Sequence, residues 1–360
     1  MPVSRVTRIW VVVAALLALV LLAGTGLGLW AWRSLHVPYK GYLQADLVHD
    51  VLPGQDARSI LQDLEARGVL DNAFLARIYL VRFLADPPLR AGEYLFDAPM
   101  TAPEVLDKLV KGEVVTYPVT IIEGLTLEET AAHLADRGFG DELTFLEEMR
   151  SVDRISDLDP AAESLEGYLF PDTYSFAKGT SEGEIVSALV GTFLRLFESE
   201  VRPSISPDDE RTARQIVILA SVVEKEARLD EERPVIAGVY TNRLGRGIAL
   251  YADPTIVYAL KQEGRWDGNI RRPDLKMDSP YNTYVHPGLP PGPIASPGLA
   301  SLLAAARPAD VPYLYFVSRN DGSHVFASTL AEHNRNVHQW QKVYWQKRWA
   351  EEKTEPDSQP

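Results

Sequence analysis

Apolar positions fall along this chain in two regimes: one uninterrupted run near the start, then a long body of short amphipathic patterns. Ile9 to Trp32 contains no charged residue and is rich in Val, Leu and Ala. These 24 residues, at about 1.5 Å rise each, span about 36 Å, enough for a bilayer core of about 30 Å. Arg5 and Arg8 precede the run, and Trp10, Trp30 and Trp32 mark its ends, where interfacial aromatics belong. The pattern predicts one transmembrane helix over 9–32, with residues 1–8 a cytoplasmic tail and residues 33–360 outside. A cleaved signal peptide would have a shorter apolar region and a small-x-small cleavage site. Leu29-Trp30-Ala31-Trp32-Arg33 is a poor one, which favours an uncleaved anchor.

Beyond a stem at 33–45, two segments align at an offset of seventy residues. Val51-Leu52-Pro53-Gly54 leads into Ile60, Leu61 and Leu64 and ends at Arg67-Gly68. Ile121-Ile122-Glu123-Gly124 leads into Leu127, Ala131 and Leu134 and ends at Arg137-Gly138. Each predicts a β-branched run, a glycine turn, a short helix and a glycine cap. Between them Gly92–Phe96 reads as a strand, and Thr101-Ala102-Pro103-Glu104 as a helix start. From about 145 the pattern changes. Ser164–Tyr174 is dense in aromatic and acidic residues and reads as strand and turn, followed by a helix over about 181–199. Ser206-Pro207-Asp208-Asp209 is expected to open the next helix, and Pro234 another, closed by Gly245 and Gly247. Pro312–Ser318 and His324–Phe326, joined by Arg319-Asn320-Asp321-Gly322, have the composition of a hairpin. The class is α+β. The last residues, 349–360, are polar and expected to be disordered.

Within this body, Ile216–Val223 is apolar on all sides of a helix axis and must be buried. The run stops on Glu224-Lys225-Glu226. Glu224 falls beside Ile216, Val217, Ala220 and Ala227, at the border of an arc formed by Ser221, Lys225 and Arg228. Partial desolvation there would raise its pKa, as a general acid near neutral pH requires. The competing reading is a structural ion pair. Glu226 lies about 160° round the axis, beside Leu219 and Val222, and is read as structural.

Composition narrows the chemistry. A chain of 360 residues, 46% hydrophobic, can bury at least one full core, and two domains are expected. The net charge is −14, although Arg5, Arg8, Arg33 and Lys40 are the charges of the first forty residues. The exported part is therefore more acidic still, which disfavours nucleic acid as a partner. Absence of cysteine removes disulfides, thiolate metal sites and cysteine nucleophiles. Ser221 has no G-x-S-x-G setting, and the seven histidines lack metal-ligand spacing, so no metal is expected. Lys225 as a Schiff-base lysine would suit a pyridoxal-phosphate lyase, but Glu224 and Glu226 beside it favour a solvated ammonium. Carbohydrate chemistry remains. Glu166, Tyr168, Asp172, Tyr174, Asp253, Tyr281, Asn282 and Tyr284, with Phe170 and Tyr251, supply the aromatic and polar mixture of a saccharide groove.

An ordered set of motifs resembles the YceG-like group of endolytic murein transglycosylases. It comprises Leu-Glu-Gly-Tyr-Leu-Phe-Pro-Asp-Thr-Tyr at 165–174, Leu-Ala-Ser-Val-Val-Glu-Lys-Glu at 219–226 and Asn242-Arg243-Leu244. Asp253-Pro254-Thr255, Tyr281-Asn282-Thr283-Tyr284, Gly288-Leu289-Pro290-Pro291-Gly292 and Tyr313-Leu314-Tyr315-Phe316-Val317 follow in order. The resemblance runs from the apolar segment to about residue 345. It implies an inner-membrane protein with one crossing, a LysM-like subdomain at 46–118 and a catalytic domain at 119–348 facing the wall. It implies cleavage between N-acetylmuramic acid and N-acetylglucosamine without water, leaving a 1,6-anhydro-muramyl end and terminating glycan growth. It places the catalytic glutamate at Glu224, needs no cofactor, and suggests peptidoglycan polymerases as partners. One carboxyl would suffice, donating to the glycosidic oxygen and then taking the proton of the C6 hydroxyl. Glu166, Tyr168, Asp172, Tyr174, Asp253, Tyr281, Asn282 and Tyr284 would bind substrate. A wall-binding scaffold without catalysis shares the anchor and is the alternative.

Overall fold

The computed structural model describes residues 5–344 and 346; the tail expected at 349–360 lies outside the described residues. The chain is a mixed α+β protein of two compact units, Met1–Tyr117 with Ser175–Gly179, and Pro118–Tyr174 with Thr180–Pro360.

The first unit opens with helix α1 (Arg5–His36), which is long and apolar enough over Trp10–His36 to cross a membrane and has no part of that window buried. Strand β1 (Leu47–Val51), helices α2 (Ala57–Ala66) and α3 (Ala73–Phe83) and strand β2 (Gly92–Phe96) follow, β1 and β2 pairing antiparallel from Leu47–Phe96 to Val51–Gly92. Helix α4 (Ala102–Lys111) starts at Thr101 with a reciprocal capping box to Glu104 and ends at the left-handed Gly112, as its sequence predicts. Ile60, Leu61, Leu64, Leu80, Tyr94, Leu106 and Leu109 form the core. Strands β3 (Thr116–Thr120) and β4 (Thr173–Ala177) make a second two-stranded sheet.

The second unit holds α5 (Leu127–Asp136), α6 (Glu142–Arg150), α7 (Glu182–Leu196), α8 (Ala213–Glu226), α9 (Arg233–Gly245), α10 (Asp253–Gln262), α11 (Leu299–Ala306) and α12 (Leu330–Val337), with the antiparallel hairpin β5 (Tyr315–Ser318) and β6 (His324–Ala327). The seventy-residue correspondence persists in the backbone. Gly54 and Gly124 turn at φ 80° and 78°, the helices α2 and α5 each hold ten residues, and Gly68 and Gly138 follow at φ 77° and 79°.

Helix α8 is the axis of this unit, packed against α9, α10 and α11. Its residues Ile216–Val223 are all buried, as the all-round apolar pattern requires. Two expectations are corrected. Helix α8 starts at Thr212, whose side chain and Gln215 complete a capping box, and not at Ser206. Ser206 instead folds on itself, its carbonyl accepting from Asp209 N at 3.0 Å. Asp209 is consumed by Arg211 at 2.6 Å. Ser164–Pro171 is a buried turn rather than a strand, because Gly167 takes φ +84° and breaks the extended run.

Gly167 cannot be replaced there. A Cβ would stand 2.4 Å from Pro293 Cβ and 3.2 Å from Val217 Cγ1. The left-handed backbone and the overpacked core predict that Gly167→Ala lowers the unfolding free energy by about 2–4 kcal/mol. Denaturant unfolding of the full chain in detergent measures it.

Candidate active site

Two glutamates end α8, and the helix turns 200° between them. Their surroundings differ in charge. Glu224 extends toward the starts of α9 and α11. Its Oε1 accepts from Arg233 Nη1 at 3.0 Å and its Oε2 from Gly298 N at 3.0 Å, with both side chains of the ion pair under 10% exposed. Arg233 also donates to Ser301 Oγ at 2.6 Å and to Asp230 Oδ1 at 2.9 Å. Glu123 lies against Gly298, and burial followed by the Glu224 charge holds its pKa above the ordinary range. Glu224, the expected acid, thus sits in the ion-pair setting that was its competing reading. Its carboxylate is fixed by a guanidinium and a backbone amide, and it lines none of the three cavities described below. Ser221, expected on a polar arc, is buried; its hydroxyl donates to Ile218 O at 2.7 Å and accepts from Ile294 N at 3.1 Å.

Glu226 faces the other way. Its Oε1 accepts from the Tyr240 hydroxyl at 2.9 Å. The residue keeps a partly exposed surface toward the cavity, but protein displaces most of the water that would solvate a charge. Burial pushes its carboxyl up to about 7, with Asp253 adding and the Tyr240 hydrogen bond opposing. The Tyr240 phenol is itself driven far above its ordinary value by burial and by Glu226, so it remains a donor.

Glu226 lines a cavity of about 580 Å³. Tyr251 and Tyr284 meet there with ring centroids 5.1 Å apart, and the Tyr284 hydroxyl donates to Asp253 Oδ1 at 2.6 Å. The Arg243 guanidinium lies 5.5 Å from the Tyr251 ring and 5.1 Å from the Tyr315 ring, and it donates to Leu314 O and Leu250 O, both at 2.6 Å. A second cavity of about 390 Å³ shares Glu226, Ser318 and His324 with the first and adds Lys225, Arg228, Asn320 and Gly322. The carboxyl of Glu226 thus stands where an aromatic cavity meets a basic one. Sizes of this order, with aromatic walls and a few polar groups, suit a small ligand or a segment of polymer.

The remaining expected groove residues are distributed. Asp253 and Tyr284 share the cavity with Glu226, along with Tyr251. Glu166, Tyr168 and Tyr281 line a separate cavity of about 290 Å³ with Arg214 and Tyr258. Burial raises Glu166 to about 8, while its Oε2 accepts from Leu127 N at 3.1 Å and Tyr258 hydroxyl at 3.2 Å. Tyr168 is buried, its hydroxyl on Asp159 Oδ2 at 2.6 Å. Asn282 is not available to a substrate. It is fully buried, donating to Met277 O at 2.8 Å and accepting from Tyr284 N at 3.0 Å, so it staples the loop that holds Tyr281 and Tyr284 apart. Asp172 is exposed and accepts from Thr173 N, and Tyr174 donates to Phe170 O at 2.7 Å; neither lines these cavities. Tyr240 and His324 were not singled out in the sequence. A tyrosine one turn before Arg243 on the same helix face is the signal that could have found Tyr240.

These facts make two stability predictions. Glu224→Ala removes the buried partner of Arg233, leaving it only the exposed Asp230 as counter-charge, and should cost about 3 kcal/mol, whereas Glu226→Gln should leave stability intact or improved. Glu166, neutral in the folded state up to about 8 and ionising near 4.5 when unfolded, binds the extra proton in the native form. Stability should therefore fall as pH rises from about 4.5 to 8, and Glu166→Gln should flatten that decline. Thermal melts across this range check both.

Comparison with known proteins follows the same line. A profile described as the YceG-like family matches residues 49–339. An endolytic murein transglycosylase of Bacillus subtilis (strain 168) is 30% identical over 324 residues, covering 84% of this chain and 87% of that protein. The protein of the same name from Streptococcus pneumoniae serotype 2 is 30% identical over 318 residues, 79% of this chain and 56% of its own length. A crystal structure of a yceG-like protein from Listeria monocytogenes superposes with a TM-score of 0.54 at 31% identity, covering 81% of this chain and 98% of that one. With its family profile matching residues 49–339 and a Bacillus subtilis relative matching over 87% of its own length, this chain belongs to the YceG-like family.

Proposed function

We propose that this protein is a membrane-anchored lytic transglycosylase that cuts peptidoglycan glycan strands internally, with Glu226 as the acid. The observation that carries the reading is one carboxyl. Glu226 is desolvated, has no cation bonded to it, keeps its proton to about 7, and opens onto two adjoining cavities. A bound strand then has room on both sides of the bond to be broken, as internal cleavage requires.

In this reading the sugar before the scissile bond lies against Tyr251, Tyr284 and Tyr315. Glu226 donates its proton to the glycosidic oxygen between N-acetylmuramic acid and N-acetylglucosamine as the C1–O bond lengthens. The C6 hydroxyl of the muramyl sugar closes on C1, giving a 1,6-anhydro end and no need for water. The substrate's acetamido group can shield the positive charge that develops at C1, so a second carboxylate at hydrolase spacing is unnecessary. Asp253, held by Tyr284, supports the acid by keeping it protonated. The apolar helix α1 would fix the body at the outer face of the inner membrane, where nascent strands emerge from peptidoglycan polymerases, and cleavage there would end strand growth. The first unit, LysM-like by resemblance, would hold the glycan nearby.

The test is product analysis by mass spectrometry with the full-length protein in detergent and purified glycan strands. Wild type should release muramyl ends lighter by one water than hydrolysis would give. Glu226→Gln should lose this activity by a factor of about 10³, with its fold retained, while the folded fraction of Glu224→Gln should keep it. Hydrolytic ends, binding without cleavage, or full activity in Glu226→Gln would each overturn the reading.

A further inference from the structure

We propose that His324, oriented by Glu232, is the base that takes the C6 proton when the anhydro ring closes. The proposal rests on the reading that the Glu226 cavity cleaves glycan, and it assigns the second half of the proton transfer.

His324 opens β6 and lines both cavities that meet at Glu226. It is held on one side only. Glu232 Oε1 accepts from the backbone N of His324 at 2.9 Å, and Glu232 Oε2 lies 2.7 Å from His324 Nδ1. Both side chains are about 90% covered, at 10% and 12% exposure. A carboxylate accepts and cannot donate, so Nδ1 carries a proton toward Glu232, and the neutral form of this imidazole offers its lone pair at Nε2. The Phe316 ring meets the imidazole edge-on at 5.3 Å and fixes its plane. This is the arrangement of a carboxylate-oriented imidazole base, in which the acid sets tautomer and direction and the far nitrogen does the work. The same Phe316 packs edge-on against Tyr240, the donor to Glu226, at 5.8 Å, so acid and base are positioned by one aromatic stack.

The step balances without a co-reactant. The C1–O bond to N-acetylglucosamine breaks, and its electron pair goes to that oxygen, which takes the Glu226 proton. The C6 oxygen forms a bond to C1, and its proton passes to His324 Nε2. Glu226 is left as carboxylate and His324 as imidazolium, and proton exchange through solvent restores both. Besides Glu232 before α9, the charged and titratable groups that line these cavities with His324 are Lys225 and Glu226 of α8, Arg228 after it, Tyr240 and Arg243 of α9, Asp253 of α10, His333 of α12, and the phenols Tyr251, Tyr284, Tyr315 and Tyr344.

The experiment is a pH profile on full-length protein with purified glycan strands. His324→Asn keeps a donor near the Nδ1 position for Glu232 but has no base. It should lower kcat by about 10² or more with KM changed less than about threefold, and lose the acid limb of the kcat profile, while residual product still carries anhydro ends. In His324→Ala, added imidazole should restore activity at least about tenfold, a response that a merely structural histidine would not give and that can be read on the folded fraction alone. A kcat within about threefold of wild type with both limbs retained, or an alanine variant indifferent to imidazole, overturns the proposal. Wild-type protein that makes no anhydro ends would remove the underlying reading instead, which separates the two failures.

Discussion

A charge taken out of water must be matched by a counter-charge or given up, and the end of helix α8 presents this choice twice within three residues. Glu224 and Glu226 leave the same buried helix in nearly opposite directions, and both lose most of their water. Glu224 meets Arg233 and Gly298 N, which tie it to the starts of α9 and α11. Glu226 meets no guanidinium among the described residues, and burial, with Asp253 adding and the Tyr240 hydrogen bond opposing, pushes its carboxyl up to about 7. The two carboxyls differ in partner: a guanidinium and a backbone amide for Glu224, a phenol for Glu226.

The two roles depend on each other. The Glu224–Arg233 pair clamps the start of α9 to the end of α8, and Gly298 N brings in the start of α11. Tyr240 lies seven residues after Arg233, two turns along α9, and is thereby delivered to Glu226. Glu232, the residue before Arg233, reaches the hairpin at His324. One buried ion pair thus fixes the helix that carries both the donor to the acid and the carboxylate behind the imidazole. A buried pair of this kind is weak evidence for added stability, but it specifies geometry.

Much of this was legible in the residues. The all-round apolar run Ile216–Val223 gave a buried helix, the seventy-residue correspondence gave two matching glycine-bounded helices, and Pro312–Phe326 gave a hairpin, each because local pattern and fold agree. The motif order led to the family. Less legible was the choice between two glutamates. Periodicity placed Glu224 at an apolar border and Glu226 beside Leu219 and Val222, and both positions are consistent with desolvation. Only Arg233, seven residues beyond the helix, decides between them, and its reach across the turn is a tertiary fact. The Tyr281-Asn282-Thr283-Tyr284 run misled in a related way. Its central residues are a buried staple, and its two tyrosines serve different cavities.

The claim on which this account turns is the protonation of Glu226. Carbon-13 NMR titration of the protein labelled at glutamate carboxyl carbons measures it directly. The account predicts a carboxyl resonance titrating near 7 that disappears in Glu226→Gln and survives in Glu224→Gln. A near-neutral resonance that instead persists in Glu226→Gln and vanishes in Glu224→Gln would contradict it.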